Sequence, residues 1–145
     1  MNFNSQLCTT KEQSEMLIGF GIKKETADIG LVFMTHDVTG EEIEPEFLGC
    51  AELWGCEERR TVLFSRQRQI PAWSLHRLVK MLPCVIDAHP ILHLTLMPDA
   101  VFYTTENNDE DHERPFSIHG NIYDNIIDCV EWLIQQGHFN EDYLV

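Results

Sequence analysis

The most regular pattern of apolar and polar positions lies near the C-terminal end of the chain. Between residues 122 and 136, apolar side chains recur every three or four positions, and polar side chains fill most of the places between them. This spacing puts one apolar stripe along an α-helix. The stripe consists of Tyr123, Ile126, Ile127, Val130, Leu133 and Ile134. Gly137 follows at the position where a helix end favours glycine, so a helix over 122–136 is predicted.

Two shorter helices are predicted from their capping residues. Thr10 and Gln13 have the spacing of a capping box, and the helix that they open ends at one of the two glycines within 19–21. Ser74 is suited to cap a second helix, which ends before Pro83. The apolar positions of that helix are Leu75, Leu78, Val79 and Leu82.

Alternation of apolar and polar residues predicts the strands. Residues 29–35 and 91–97 both have the length and pattern of a strand. The apolar face of the second segment consists of Leu92, Leu94 and Leu96. The turn signal at 98–99 joins it to a strand over 100–105, which predicts an antiparallel hairpin. Further candidates are strands over 60–68 and 116–119, and either a short strand or a helical turn over 47–54.

Strands and helices alternate along the chain, but the clearest strand pair is a hairpin. A hairpin is antiparallel, which favours the α+β class over a parallel sheet. We therefore expect a small antiparallel sheet of about four to five strands, packed by two to three helices with the longest at the C-terminus. A length of 145 residues without an internal repeat or a linker predicts a single globular domain over residues 1–145.

The chain is acidic, and its charge is unevenly distributed. Ten Lys and Arg against 24 Asp and Glu give a formal net charge of -14. Residues 84–145 contain one basic and 12 acidic side chains, whereas residues 59–80 contain six basic side chains and no acidic one. Proteins that bind nucleic-acid backbones or anionic lipid surfaces present a positive footprint, so neither partner is expected.

The sequence predicts a cytoplasmic protein that does not contact a membrane. The N-terminal residues lack the basic start and the apolar core of a secretory signal. No apolar run approaches the roughly 18 residues that a transmembrane helix needs. Five cysteines, an odd number at irregular spacing, are expected to be free thiols in a reducing compartment.

No metal and no cofactor is expected from the motifs. Cys50 and Cys56 are separated by five residues, which fits poorly with the short spacing of a zinc knuckle. The loop over 106–113 is rich in oxygen ligands but lacks the glycine and the glutamate of an EF-hand. A hydrolytic or metal-assisted enzyme that uses a histidine and a carboxylate stays open as an alternative. The histidines available to it are His89, His93 and His119.

Another protein is the expected partner, and a non-enzymatic accessory or protein-binding domain is the leading interpretation. The first candidate surface joins the last helix to the basic stretch. Its members are Trp132, Trp73, Arg66, Arg68 and Arg77. Both tryptophans are also suited to the core, and for Trp73 the core is the favoured position. For the arginines, pairing with the surplus carboxylates of the chain itself is favoured over a binding patch. A DNA mimic, in which carboxylates imitate phosphates and occupy a DNA-binding protein, is a second alternative.

Four segments, taken in order, resemble a group of bacterial proteins. They are Thr10–Ser14, Gly21–Asp28, Ile70–Leu75 and Asp128–Gly137, with Pro-Ala-Trp-Ser-Leu as the most specific element. They are similar to small uncharacterised proteins of anaerobic gut bacteria, which are often carried on prophages and other mobile elements. The resemblance implies a cytoplasmic accessory protein rather than a metabolic enzyme. The group has no established activity, so the resemblance assigns no role to any residue.

Overall fold

The computed structural model describes residues 6–35, 38–43, 51–52, 66–105 and 120–145. Within these ranges the chain forms three α-helices and seven β-strands. The helices are α1 (Lys11–Gly19), α2 (Leu75–Met81) and α3 (Ile122–Gln135). The strands are β1 (Ile29–Thr35), β2 (Glu42–Ile43), β3 (Ala51–Glu52), β4 (Arg66–Ala72), β5 (Val85–Ile86), β6 (Leu92–Leu96) and β7 (Val101–Thr104). The predicted α+β class, with its longest helix at the C-terminus, is confirmed.

The strands form two antiparallel sheets, where the sequence suggested one. In sheet 1, β4 pairs with the full length of β1, from Ile29 opposite Ala72 to Thr35 opposite Arg66. The other edge of β1 pairs with β3 near its start and with β2 near its end. Sheet 2 has the strand order β5-β6-β7, and its second pair is the predicted hairpin.

Of the predicted strands, the one over 29–35 keeps its bounds, and the one over 60–68 extends further along the chain than predicted. The strand over 29–35 is confirmed with the predicted bounds. The strand predicted over 60–68 is described from Arg66 onward and continues to Ala72, because the segment expected only to lead into α2 pairs with β1 instead. The predictions for 106–113 and 116–119 lie outside the described residues. So does most of 47–54, of which the structure describes the two residues of β3.

The ends of α1 and α3 follow local capping rules. At the start of α1, Thr10 Oγ1 accepts from the Gln13 N–H at 3.2 Å, and Gln13 Oε1 accepts from the Thr10 N–H at 2.9 Å, which is the predicted capping box. Gly21 and Gly137 follow the two helices with φ of 91° and 71°. In both cases the N–H of the glycine and the N–H of the residue after it donate to carbonyls of the last turn, as in a Schellman motif.

The hydrophobic core is arranged around α3. This helix contacts α1, α2 and β7, and its buried side chains match the predicted stripe closely. Fully buried members include Ile126, Ile127, Val130 and Leu133. The same core contains Trp73 after β4, Leu78 of α2 and Tyr103 of β7. This core therefore joins the helices to one face of sheet 2.

Ser74 begins α2 and ties the helix to the segment before β1. The Ser74 hydroxyl accepts from the Arg77 N–H at 3.1 Å, which confirms the predicted N-cap. The same hydroxyl donates to Asp28 Oδ2 at 2.5 Å, and the Ser74 N–H donates to Asp28 Oδ1 at 2.9 Å. The start of α2 is thus held by a carboxylate that is 46 residues away in the sequence.

We expect Ser74→Ala to lower the free energy of unfolding by about 1–2 kcal/mol, because it removes the cap and one of the two donors to Asp28. Urea unfolding followed by far-UV circular dichroism measures the change. His76→Ala is a suitable control, because His76 is exposed on the same helix. Equal unfolding free energies for the two variants would contradict the structural role of Ser74.

Candidate partner-binding surface

Trp73 is part of the core and not of a surface. Its side chain is 0% exposed, and its indole N–H donates to Thr26 Oγ1 at 2.9 Å. Its backbone is fixed by Thr9, whose hydroxyl accepts from the Trp73 N–H and whose own N–H donates to the Trp73 carbonyl, both at 3.0 Å. The prediction that Trp73 contributes to a partner surface is wrong, because complete burial leaves no atom for a partner to contact.

Trp132 is half-buried and packs α3 against sheet 2. Its ring stacks on Tyr103 with centroids 6.0 Å apart and an interplanar angle of 28°. His138 lies against it at 6.1 Å with a tilt of 49°. Its exposed part is available to a partner, so its place in a contact surface stays a prediction.

The arginines of the predicted surface belong to other elements. Arg77 of α2 is half-buried, and its Nε donates to the Thr26 carbonyl at 2.6 Å. Arg66 and Arg68 lie in β4, where they pair with Thr35 and Phe33 of β1. The arginines therefore occupy sheet 1 and α2, whereas Trp132 packs on sheet 2. A surface that joins all of them stays a prediction.

The residues considered for metal chemistry do not form a described site. His89 is exposed in the loop between β5 and β6, and His93 is partly buried in β6. His119, Cys50, Cys56 and the loop over 106–113 lie outside the described residues. In the part of the chain that the structure describes, no group of three or more His, Cys, Asp or Glu side chains is placed to hold a metal ion.

Burial raises the pKa of two thiols in the described residues, Cys8 and Cys129, and so favours their protonated form. Burial raises the pKa of Cys129 to about 12, and the nearby Asp128 adds to the effect. Burial also raises the pKa of Cys8, with a smaller contribution from Asp28. A thiol reacts as a nucleophile through its thiolate, so neither residue is prepared for covalent catalysis at neutral pH.

Sheet 2 has an inner face that packs against the core. The pairing of Ile86 with Leu92 and of Leu94 with Tyr103 puts these residues on one side of the sheet. Val101 lies on the same side, and all of these side chains belong to the core or pack against it. The opposite side, which we call the outer face, consists of Val85, His93, Thr95, Met97, Phe102 and Thr104.

The outer face contains no Asp, Glu, Lys or Arg. Val85 and Met97 are each 51% exposed, and Ile91, which directly precedes β6, is 49% exposed. The outer side of a two-layer antiparallel sheet is ordinarily polar. Three half-exposed apolar side chains on one short hairpin and its flank therefore mark a candidate contact surface.

The outer face rests on firmly anchored elements. The buried Asn125 side chain donates from Nδ2 to the Asp99 carbonyl in the hairpin turn. At the other end of the hairpin, the Tyr103 hydroxyl donates to the Pro83 carbonyl at 2.7 Å, just before β5. The Thr95 and Thr104 hydroxyls bond to each other across the strands at 3.1 Å. A partner would thus meet a surface that is preorganised by the core behind it.

Val85, Ile91 and Met97 are absent from the residues that the sequence singled out. The signal that could have found them is the second set of alternating positions in 91–97, which are Ile91, His93, Thr95 and Met97. This set contains no Asp, Glu, Lys or Arg, although it lies opposite the leucine face. A set without these residues on the solvent side of a hairpin is unusual, but only the packing of α3 shows which side faces the core.

No α-helix in the described ranges combines the length and the apolar character that crossing a bilayer requires.

Comparisons with protein families, with curated proteins and with solved structures find no match. The resemblance to small proteins of gut bacteria therefore stays a prediction.

Proposed function

We propose that this chain is a non-enzymatic protein-binding domain whose contact surface is the outer face of sheet 2. The observation that carries the proposal is the exposure of Val85 and Met97 on the outer face, and of Ile91 beside it, where the face contains no Asp, Glu, Lys or Arg. Removal of apolar area from water is the main favourable term in most protein association, at roughly 25 cal/mol per Å². A partner that covers these side chains would gain that term at little cost in charge desolvation.

The proposal also assigns the domain to the cytoplasm as an accessory protein. Three cysteines, Cys8, Cys84 and Cys129, are free thiols, which is the usual state in a reducing compartment. Two carboxylates, Asp28 and Asp124, accept hydrogen bonds from Ser74 and Gln13. These two carboxylates therefore help to hold the fold together. They give no specific support to the DNA-mimic alternative.

The test is a selection of displayed random 12-residue peptides against the purified protein. We expect selected peptides to bind the double variant Val85→Ser/Met97→Ser at least ~10-fold more weakly than the parent, because the variant loses apolar contact with the peptide. A loss of about 1.4 kcal/mol in binding free energy corresponds to a tenfold weaker affinity. Fluorescence anisotropy of the labelled peptides measures the affinities.

The matched control is Leu7→Ser/Met16→Ser. Leu7 and Met16 are 50% and 45% exposed, so this variant removes the same kinds of side chain from another part of the surface. It should bind the selected peptides as the parent does. Equal binding of the peptides to the parent and to the outer-face variant would contradict the proposal, and so would a selection that enriches no peptide.

A further inference from the structure

We infer that the outer face binds a segment of the partner that has Lys or Arg on both sides of an apolar centre. The inference rests on the proposed function and specifies the chemistry of the partner. It derives from a juxtaposition in sheet 2, where the apolar side chains of the outer face lie between two exposed carboxylates, Asp87 and Asp99.

The two carboxylates lie at opposite ends of the hairpin. Asp87 directly follows β5, where Ile86 pairs with Leu92 at the start of β6. Asp99 lies in the turn that follows the end of β6. The five residues of β6 span roughly 17 Å at 3.3 Å per residue. An extended segment of about five to seven residues therefore covers the apolar part and reaches both carboxylates.

The described residues that follow Lys80 in the chain have acidic side chains and no Lys or Arg. The carboxylates are Asp87, Asp99, Asp124, Asp128, Glu131, Glu141 and Asp142. A second copy of this chain that docks through its own outer face would bring the same carboxylates to the contact, and like charges that face each other across an interface are unfavourable. The charge therefore favours a basic partner over self-association.

The apolar centre and the flanking charges would contribute in different ways. Apolar contact supplies affinity that changes little with salt concentration. Exposed charge pairs add a smaller and salt-dependent part, because the screening length falls from about 10 Å at 0.1 M salt to about 3 Å at 1 M. They also speed association and set the orientation of the bound segment. These differences make the two contributions separable by experiment.

The experiment uses three synthetic nine-residue peptides with the same five-residue apolar centre of Leu and Val. One has two Lys at each end, the second has Gln in these places and the third has Glu. Fluorescence anisotropy measures their affinity for the protein at 0.05 M and 0.5 M NaCl. We expect the Lys peptide to bind roughly 2- to 30-fold more tightly than the Gln peptide at low salt. The advantage should largely disappear at high salt, and the Glu peptide should bind most weakly.

The protein variant Asp87→Asn/Asp99→Asn should reduce binding of the Lys peptide to the level of the Gln peptide. Its control is Glu25→Gln/Glu141→Gln, which makes the same change in net charge at two exposed positions outside sheet 2 and should keep the preference for Lys. Equal loss in both variants would overturn the inference, because the effect would then reflect net charge alone.

Two other outcomes separate this inference from the proposed function. A Gln peptide that binds as tightly as the Lys peptide, and that loses affinity with Val85→Ser/Met97→Ser, overturns the basic-segment inference while supporting the contact surface. Peptide binding that ignores Val85→Ser/Met97→Ser overturns both.

Discussion

Replacement of Trp73 by alanine is expected to lower the free energy of unfolding by about 3–5 kcal/mol, the usual cost of deleting a buried aromatic side chain. The side chain is completely buried, so its removal leaves a cavity that the surrounding core fills only in part. The indole N–H is also lost, and Thr26 Oγ1 loses the donor that it has at 2.9 Å. Domains of this size are stable by about 5–15 kcal/mol, so the variant would be close to unfolding under ordinary conditions.

Urea unfolding followed by far-UV circular dichroism measures the effect. Trp73→Phe keeps most of the ring volume but removes the N–H group, and we expect it to cost about 1–3 kcal/mol. This second variant keeps the prediction testable if Trp73→Ala does not fold. Trp132→Ala makes the same change at a half-buried site and should cost less. A larger loss for Trp132→Ala than for Trp73→Ala would contradict the assigned positions.

A rise in pH from 8 to 12 is expected to destabilise the protein by several kcal/mol through its buried thiol and phenol groups. Burial raises the pKa of Cys129 from 9.0 to about 12 in the folded protein. It likewise raises the pKa of Tyr123 from 10.0 to about 12, with smaller contributions from nearby Cys8 and Asp28. The pKa of Tyr103 is also raised by burial.

The direction of this effect follows from which state ionises first. Between pH 9 and 12 the Cys129 thiol of the unfolded chain loses its proton, whereas that of the folded chain keeps it. The stabilisation is therefore fully present below about pH 9 and decreases toward pH 12, by up to about 1.4 kcal/mol per pH unit for one group. Tyr123 adds a decrease of the same sign from about pH 10 onward.

Unfolding free energies at pH 8, 9, 10 and 11, in the presence of a reductant, test this expectation. Cys129→Ala should flatten the decrease between pH 9 and 10, where the tyrosines contribute little. Met16→Ala removes an exposed side chain that does not ionise and should leave the slope unchanged. Parallel pH profiles for the parent and Cys129→Ala would show that the thiol is not the origin of the decrease.

The features predicted correctly from the sequence are those that depend on near neighbours along the chain. The capping box of Thr10 and Gln13 closes over three residues. The Ser74 cap of α2 does the same, and the glycines after α1 and α3 satisfy carbonyls in the preceding turn. The β6–β7 hairpin is equally local, because the pairing follows directly from its turn.

The sequence was less informative where distant segments compete for the same residues. Ile70 to Ala72 precede a capping serine and suggested an approach to a helix, but they extend β4 because β1 offers partners for their backbones. The sequence gives Trp73 a place in either a surface or the core, and hydrogen bonds to Thr9 and Thr26, from two other parts of the chain, hold it in the core. Neither contact leaves a periodic signal in the sequence.

The outer face of sheet 2 shows the same difference between what local sequence patterns predict and what contacts between distant segments decide. Alternation in 91–97 alone defined two sets of side chains on β6, a leucine set and an uncharged set that includes His93 and Thr95. Only the packing of α3 against Tyr103 decided that Leu92 and Leu94 of the leucine set pack against the core, whereas Leu96 at the end of β6 is 47% exposed and Val85 and Met97 face outward. The sequence by itself therefore determined the three helices, the Thr10 and Ser74 caps, the β6–β7 hairpin and the acidic character of the chain, because these depend on composition and on neighbours a few residues apart. The tertiary structure decided which face of sheet 2 is buried, because burial depends on apolar surfaces brought together from distant parts of the chain.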